Sequence, residues 1–133
     1  MDSRPKLDFD QLTAGYEFPP SHFKLDAATA AAYLKAVEDT SPFYRDTGLV
    51  PPMAIAALAM AALAEGMTLP PGAIHVSQEF DFIDAVTVGE SLTSHAKVGA
   101  KQSRSKFRIL SIDLNVLSGT RAVLIGKTSF ILP

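Results

Sequence analysis

The segment from Pro51 to Gly66 constrains the fold more than any other part of this chain. Residues 53–64 carry no polar side chain, and they are bounded by proline before and glycine after, as helices commonly are. A helix that is apolar on every side must be enclosed by protein or lipid. Residues 53–64 rise only about 18 Å at ~1.5 Å per residue, whereas a membrane span needs about 20 residues. We therefore predict a short helix enclosed by the rest of the protein, and no membrane span.

Composition narrows the class of protein. The chain has 133 residues, a formal net charge of −2 and no cysteine. We expect one domain over 1–133, with residues 1–15 as a loose polar lead-in. The lack of a basic excess argues against nucleic-acid binding, and the lack of cysteine excludes a disulfide framework and a thiolate metal site. Residues 1–8 alternate in charge without an apolar run, so a cytoplasmic location is expected.

The first half of the chain predicts an edge segment, a helix and a loop. Residues 16–25 are rich in aromatic and β-forming residues, but Pro19 and Pro20 limit them to an edge strand or an extended arm. Asp26 is a good N-cap for a helix over 27–38, and a turn-rich loop then leads into the apolar helix.

The second half predicts four strands in an antiparallel meander, over 73–83, 91–101, 106–117 and 121–132. In the first of them Ile74, Val76, Phe80 and Phe82 alternate with His75, Ser77, Glu79 and Asp81. In the third, a break in the alternation at 109–110 indicates a bulge or burial on both faces. A curved antiparallel sheet wrapped around one buried helix is the hotdog architecture, an α+β fold. Its open sheet edges favour a dimer or a larger assembly.

Two stretches resemble MaoC-like hydratases and dehydratases, a hotdog family. Residues 38–46 (EDTSPFYRD) and 48–53 (GLVPPM) resemble the loop before the family's central helix and the start of that helix. Residues 74–82 (IHVSQEFDF) and 88–92 (VGESL) resemble the strand and turn that follow it, so the resemblance spans about 20–132. It implies a lyase of fatty-acid metabolism that hydrates enoyl thioesters or dehydrates 3-hydroxyacyl thioesters. CoA or an acyl carrier protein would carry the substrate, with no other cofactor.

The resemblance also implies a site, from which this chain departs twice. Active members use an aspartate, a histidine five residues later and a glycine N–H at the start of the central helix. Asp39 matches the aspartate, but Tyr44 stands at the histidine position, and tyrosine titrates near pH 10. Pro52 stands at the glycine position and has no N–H to donate. The chain thus resembles the non-catalytic N-terminal half of double-hotdog dehydratases, and it would act as a homodimer or beside a catalytic hotdog subunit.

Further residues are candidates for the same site. Phe43, Met53, Ile55 and Met60 are expected to shape an acyl tunnel. His75 is a third catalytic candidate, because similar halves of the family carry a histidine there, although a lone strand histidine is more often structural. His22 and His95 are expected to be surface or packing residues, and no metal site is predicted because the histidines lack ligand spacing.

Two other functions remain open at this point. Some hotdog thioesterases use a carboxylate on or near the central helix, so Asp39 or Glu65 would activate water, unless Glu65 simply reaches solvent. A scaffold subunit without activity is the other alternative. A basic cluster meets either carrier phosphates or solvent; its members are Lys97, Lys101, Arg104, Lys106 and Arg108.

Overall fold

The computed structural model describes residues 6–133 as an antiparallel five-stranded sheet with three helices. The helices are α1 (Ala27–Ala36), α2 (Phe43–Thr47) and α3 (Pro52–Gly66). The strands are β1 (Ser21–Lys24), β2 (Ile74–Phe82), β3 (Ser91–Arg104), β4 (Phe107–Ser118) and β5 (Arg121–Leu132). The sheet is curved and packs against α3, which confirms the predicted α+β architecture.

The start and end of α1 follow from its sequence. The Asp26 carboxylate accepts a hydrogen bond from the Thr29 amide at 2.7 Å, as the predicted N-cap requires, and this bond lowers the pKa of Asp26. The helix ends at Ala36, before the predicted 38, and Glu38 has a φ of 58°. A left-handed backbone cannot continue an α-helix, so the chain turns away at Glu38.

The order of strands in the sheet is β1-β3-β4-β5-β2. The edge position of β1 confirms the prediction for residues 16–25. The predicted four-strand meander is wrong for β2, which pairs with β5 and not with β3. The connection at 83–90 runs beside the start of α3, where the Val50 amide donates to the Val86 carbonyl at 2.8 Å. This crossover makes β2 the second edge of the sheet.

The sheet covers one side of α3. Ala54, Ile55, Ala59 and Leu63 are buried between α3 and the strands, at 1–3% exposure. On the opposite side Met53 is 48% exposed, and Ala57 and Ala61 are also exposed. The sheet therefore buries α3 on one side, as predicted, while the side that carries Met53 stays exposed in this chain.

The predicted lead-in 1–15 is not loose where the structure describes it. Residues 1–5 lie outside the described residues, but Phe9 and Leu12 are buried in the core at 5% and 1% exposure. The Leu7 amide donates to the Gly66 carbonyl at 3.1 Å, and the Lys101 ammonium donates to the Leu12 carbonyl at 2.8 Å. The segment is held because its apolar residues close the end of the core beside α3.

The alternation of apolar and polar residues in β4 breaks at 109–110, but the strand pairing is regular there. Ile109 and Leu110 pair consecutively with Ile131 and Phe130, so there is no bulge at 109–110. Leu110 is fully buried and Ile109 is half-buried, which favours the alternative of burial on both faces. The pairing of β4 with β5 slips instead between Val116 and Leu117, and its pairing with β3 slips opposite Ser111 and Ile112.

Within residues 6–133, no helix combines the length and the apolar character that crossing a membrane requires.

Candidate functional site

A cleft of about 710 Å³ lies between α1, the loop after it and α2. Its lining combines small apolar residues with a few polar and charged ones: Ala27, Ala30, Ala31, Leu34, Lys35, Asp39, Thr40, Ser41, Tyr44, Arg45, Gly48, Leu49 and Val88. Asp39 and Tyr44 both belong to this lining. The structure thus brings together two of the three residues predicted to be catalytic.

Local backbone geometry sets the position of Asp39. The left-handed turn at Glu38 redirects the chain, and the Asp39 amide still donates to the Leu34 carbonyl at 2.9 Å. One Asp39 carboxylate oxygen accepts a hydrogen bond from the Ser41 amide at 3.0 Å. This bond anchors the carboxyl group to the loop that lines the cleft.

Tyr44 lies on α2 between two cavities. Besides the cleft, it lines a smaller cavity of about 120 Å³ at the start of α3, together with Phe43 and Ile55. The Phe43 and Tyr44 rings are in edge contact, with centroids 5.1 Å apart. The phenol ring of Tyr44 is therefore part of the wall between the cleft and the smaller cavity.

The start of α3 borders the smaller cavity. Pro51 is the N-cap and Pro52 is the first residue of the helix; Pro52 also lines the cavity. The Ala54 amide is already bonded to the Pro51 carbonyl at 2.9 Å. Because proline has no N–H, the position predicted to bind a thioester oxygen offers no donor from Pro52.

The four predicted acyl-tunnel residues do not converge. Phe43 and Ile55 line the smaller cavity, but Met53 lies on the exposed side of α3. Met60 lines a third cavity of about 330 Å³ near the end of α3, beside Leu63 and Phe130. Residues 6–133 therefore do not form a single tunnel through all four residues.

His75 is placed by a bulge that the sequence did not reveal. The pairing of β2 with β5 slips between His75 and Ser77, so Val76 is the extra residue. His75 consequently shares a face with Phe80 and not with Glu79 and Asp81, which corrects the predicted alternation. Its Nε2 lies 2.7 Å from Thr128 Oγ1, and its ring stacks on Phe130. His75 does not line the cleft, and these contacts favour the structural interpretation.

The bulge also changes the burial of β2. Ile74 is 60% exposed and Val76 is 51% exposed, although the alternation predicted that both face a core. Phe82 is 45% exposed, and Phe80 is half-buried. Most of the apolar surface of this edge strand is therefore accessible.

A network around Arg121 was missed in the sequence. Arg121 pairs with Asp84 at 2.8 Å and with Glu90 at 2.6 Å, and Asp84 lines the smaller cavity. Glu90 also accepts hydrogen bonds from the Ser118 hydroxyl at 2.7 Å and the Thr87 amide at 2.6 Å. These bonds tie the 83–90 connection to the β4–β5 hairpin. No local pattern pairs residues so far apart in sequence.

The network shifts the pKa values of its members. The Ser118 and Thr87 hydrogen bonds, followed by the charge of Arg121, lower the pKa of Glu90 from 4.5 to about 2. The Arg121 hydrogen bond lowers the pKa of Asp84, and the two carboxylates raise the pKa of Arg121.

Glu90 is expected to make the stability of the fold depend on pH. Because its folded pKa of about 2 lies below its usual 4.5, its contribution is complete above pH 4.5 and is lost as pH falls toward 2. At neutral pH, Glu90→Gln should lower the free energy of unfolding by about 2 kcal/mol, the scale of hydrogen bonds to a charged group. Urea unfolding of both proteins between pH 2 and 7 measures the difference, which should shrink through this window. Glu65→Gln, at an exposed carboxylate, is the control, and an equal loss in both variants would contradict the role of the network.

Part of the predicted basic cluster is used inside the fold. Lys101 and Arg108 lie over the Phe9 ring at 4.4 and 4.9 Å, and Arg108 donates to the Pro133 carbonyl at 2.8 Å. Lys97, Arg104 and Lys106 are exposed on the β3–β4 hairpin.

The remaining candidates lie apart from the cleft. His22 Nδ1 lies 3.1 Å from Thr93 Oγ1, and His95 is exposed on β3. Glu65 is exposed in the last turn of α3. Across residues 6–133, no group of three or more metal-ligating side chains is close enough together to hold an ion.

Known proteins resemble this chain at the level of structure. No protein-family model matches the sequence, and no curated protein matches it. Solved structures do match. The unliganded R-hydratase PhaJ1 from Pseudomonas aeruginosa superposes with a TM-score of 0.78 at 19% identity, over 96% of this chain and 86% of that one. The chain has the hotdog fold. The similarity to MaoC-like and hydratase hotdogs noted in the sequence thus extends to the structure.

Two other hotdog structures broaden the comparison. A MaoC-like dehydratase from Rhodospirillum rubrum has a TM-score of 0.75 at 20% identity, covering 92% of this chain and 94% of its own. The HadBC (3R-hydroxyacyl-ACP dehydratase) complex from Mycobacterium tuberculosis has a TM-score of 0.73 at 18% identity, with coverages of 89% and 96%. At these identities the likeness establishes the hotdog fold, and the chemistry has to be argued from the cleft itself.

Proposed function

We propose that this hotdog chain binds acyl thioesters, carried by CoA or an acyl carrier protein, in the cleft that contains Asp39 and Tyr44. One observation carries the proposal. A carboxylate and a phenol lie in one cleft whose wall on α1 includes the apolar residues Ala27, Ala30, Ala31 and Leu34. An apolar wall suits an acyl chain, and the polar groups suit the thioester end.

The same residues make hydration by this chain alone inefficient. Asp39 is able to accept a proton, but the phenol of Tyr44 stands where active hydratases of this type have an imidazole, and it offers only a hydroxyl for hydrogen bonding. Pro52 supplies no amide for the charge that develops on the thioester oxygen. We therefore regard the dyad as degenerate, with Asp39 and Tyr44 orienting the thioester and not activating water.

A second hotdog chain is the proposed partner. β2 is an edge strand with exposed apolar residues, and α3 exposes Met53, Ala57 and Ala61. Exposed apolar edges favour pairing with another sheet. Pairing with a second copy or with a separate catalytic subunit would cover this surface. The HadBC structure, a complex of hotdog fold, supports the second arrangement.

Titration calorimetry with crotonyl-CoA tests binding. We expect saturable binding to the native chain and at least about tenfold weaker binding to a Tyr44→Ala, Leu34→Asp variant, because a charge that the bound acyl chain shields from water is unfavourable. Glu65→Gln is the matched control outside the cleft and should bind like the native chain. Absence of saturable binding to the native chain would overturn the proposal.

The enoyl absorbance and the release of free thiol distinguish the activities. For the chain alone we expect neither rapid loss of the enoyl group nor thiol release. Rapid hydration that disappears in Asp39→Asn would contradict the degenerate dyad, and thiol release that requires Asp39 or Glu65 would establish a thioesterase instead.

A further inference from the structure

Two cations line the cleft, one on each of its helices. Lys35 lies in the last turn of α1, and Arg45 lies on α2 next to Tyr44. Asp39 is the one carboxylate among the lining residues, so the cleft carries a net positive charge. The chain as a whole has a formal net charge of −2. The positive cleft is therefore a local feature that opposes the overall charge.

Both cations are accessible to a ligand. The Arg45 side chain is 82% exposed, and its contact with Asp46 is a loose ion pair with an Nε to Oδ1 distance of 3.8 Å. Lys35 is also exposed. By contrast, Lys101 and Arg108 of the basic hairpin donate to backbone carbonyls and cover the Phe9 ring. Lys35 and Arg45 are thus accessible cations that lie next to the apolar wall of the cleft.

We propose that Lys35 and Arg45 bind the phosphate of the carrier that delivers the acyl thioester, and this inference rests on the function proposed above. An arginine fork and a lysine ammonium are the side chains that commonly bind phosphate oxygens. In this arrangement the pantetheine arm connects the phosphate at the two cations to the thioester at Asp39 and Tyr44. The shared chemistry is a phosphate monoester or diester, provided either by CoA or by the phosphopantetheine arm of a carrier protein.

Three thioesters with the same crotonyl group separate these sources. Crotonyl-CoA carries nucleotide phosphates, crotonyl-phosphopantetheine carries one phosphate, and crotonyl-pantetheine carries none. We expect the native chain to bind the best phosphate-bearing ligand about tenfold or more tightly than crotonyl-pantetheine. In Lys35→Ala, Arg45→Ala this preference should vanish, while affinity for crotonyl-pantetheine stays the same. Lys97→Ala, Arg104→Ala is the matched control because it removes two exposed cations of the hairpin, and it should keep the preference.

The binding results distinguish the two phosphate sources, and they test the phosphate site separately from the proposed function. A full preference for crotonyl-phosphopantetheine supports the pantetheine phosphate, and a preference confined to crotonyl-CoA supports its nucleotide phosphates. If the Lys35→Ala, Arg45→Ala variant still prefers phosphate-bearing ligands, the inference is overturned while the proposed function stands. If the native chain binds none of the three ligands, the proposed function fails, and the inference fails with it. Circular dichroism of each variant shows that a loss of binding does not come from unfolding.

Discussion

The double variant Tyr44→His, Pro52→Gly is expected to hydrate crotonyl-CoA about 100-fold faster than the native chain, the scale of one restored acid–base group. Histidine titrates near neutral pH and shares the proton transfers with Asp39, which lines the same cleft. Glycine at position 52 provides an N–H at the start of α3, where Pro52 has none. Loss of enoyl absorbance at saturating substrate measures the rate.

The gain must depend on Asp39. Adding Asp39→Asn to the double variant should return the rate to that of the native chain, and each single substitution should give a smaller gain. A correctly folded double variant with the native rate would show that positions 44 and 52 do not account for weak hydration by this chain.

The largest expected loss of stability comes from a residue near the start of the described chain. Leu12 is 1% exposed and packs in the core with Phe9 and with Leu63 of α3. Leu12→Ala should lower the free energy of unfolding by about 3 kcal/mol, within the usual range for a buried leucine. Unfolding in urea at neutral pH measures this loss.

Thr13→Ala is the control, because Thr13 is the exposed neighbour of Leu12. It should leave the free energy of unfolding within about 0.5 kcal/mol of the native value. A loss below about 1 kcal/mol for Leu12→Ala would show that this segment is not part of the cooperative core.

Elements with strong local signals were predictable. The bounds of β5 agree with the prediction over 121–132, and the Asp26 N-cap forms as expected. The apolar run predicted α3 almost completely. These features depend on propensity, capping and alternation over a few residues, which a single sequence contains.

Features set by distant residues were not predictable. The pairing of β2 with β5, the contacts of Arg121 with Asp84 and Glu90, and the burial of Leu12 all join residues far apart in the chain. The exposed side of α3 belongs to the same group, because an all-apolar helix does not reveal which side the sheet covers.

Some residues of the candidate site were also predictable from local sequence, and others were not. Asp39 and Tyr44 lie in one short loop and helix, so their shared cleft follows from local sequence. The face of His75 depends on a bulge at Val76, and no glycine or proline there announces it. Met53 and Ile55 are two positions apart on α3, yet only Ile55 faces a cavity of the fold.

The bulge at Val76 affects how this chain can diverge during evolution. Phe80 and Gln78 lie on one side of the bulge, and His75 lies on the other, near the end of the strand. Loss of Val76 would leave the pairing of residues 74–75 and of 77–82 with β5 unchanged, because Val76 is the one residue without a partner on β5. A single-codon deletion would thus remove the bulge and keep the imidazole on the face that carries Thr128. Homologues that lack this residue are expected to keep the histidine contact and to differ from this chain by a one-residue gap in the alignment.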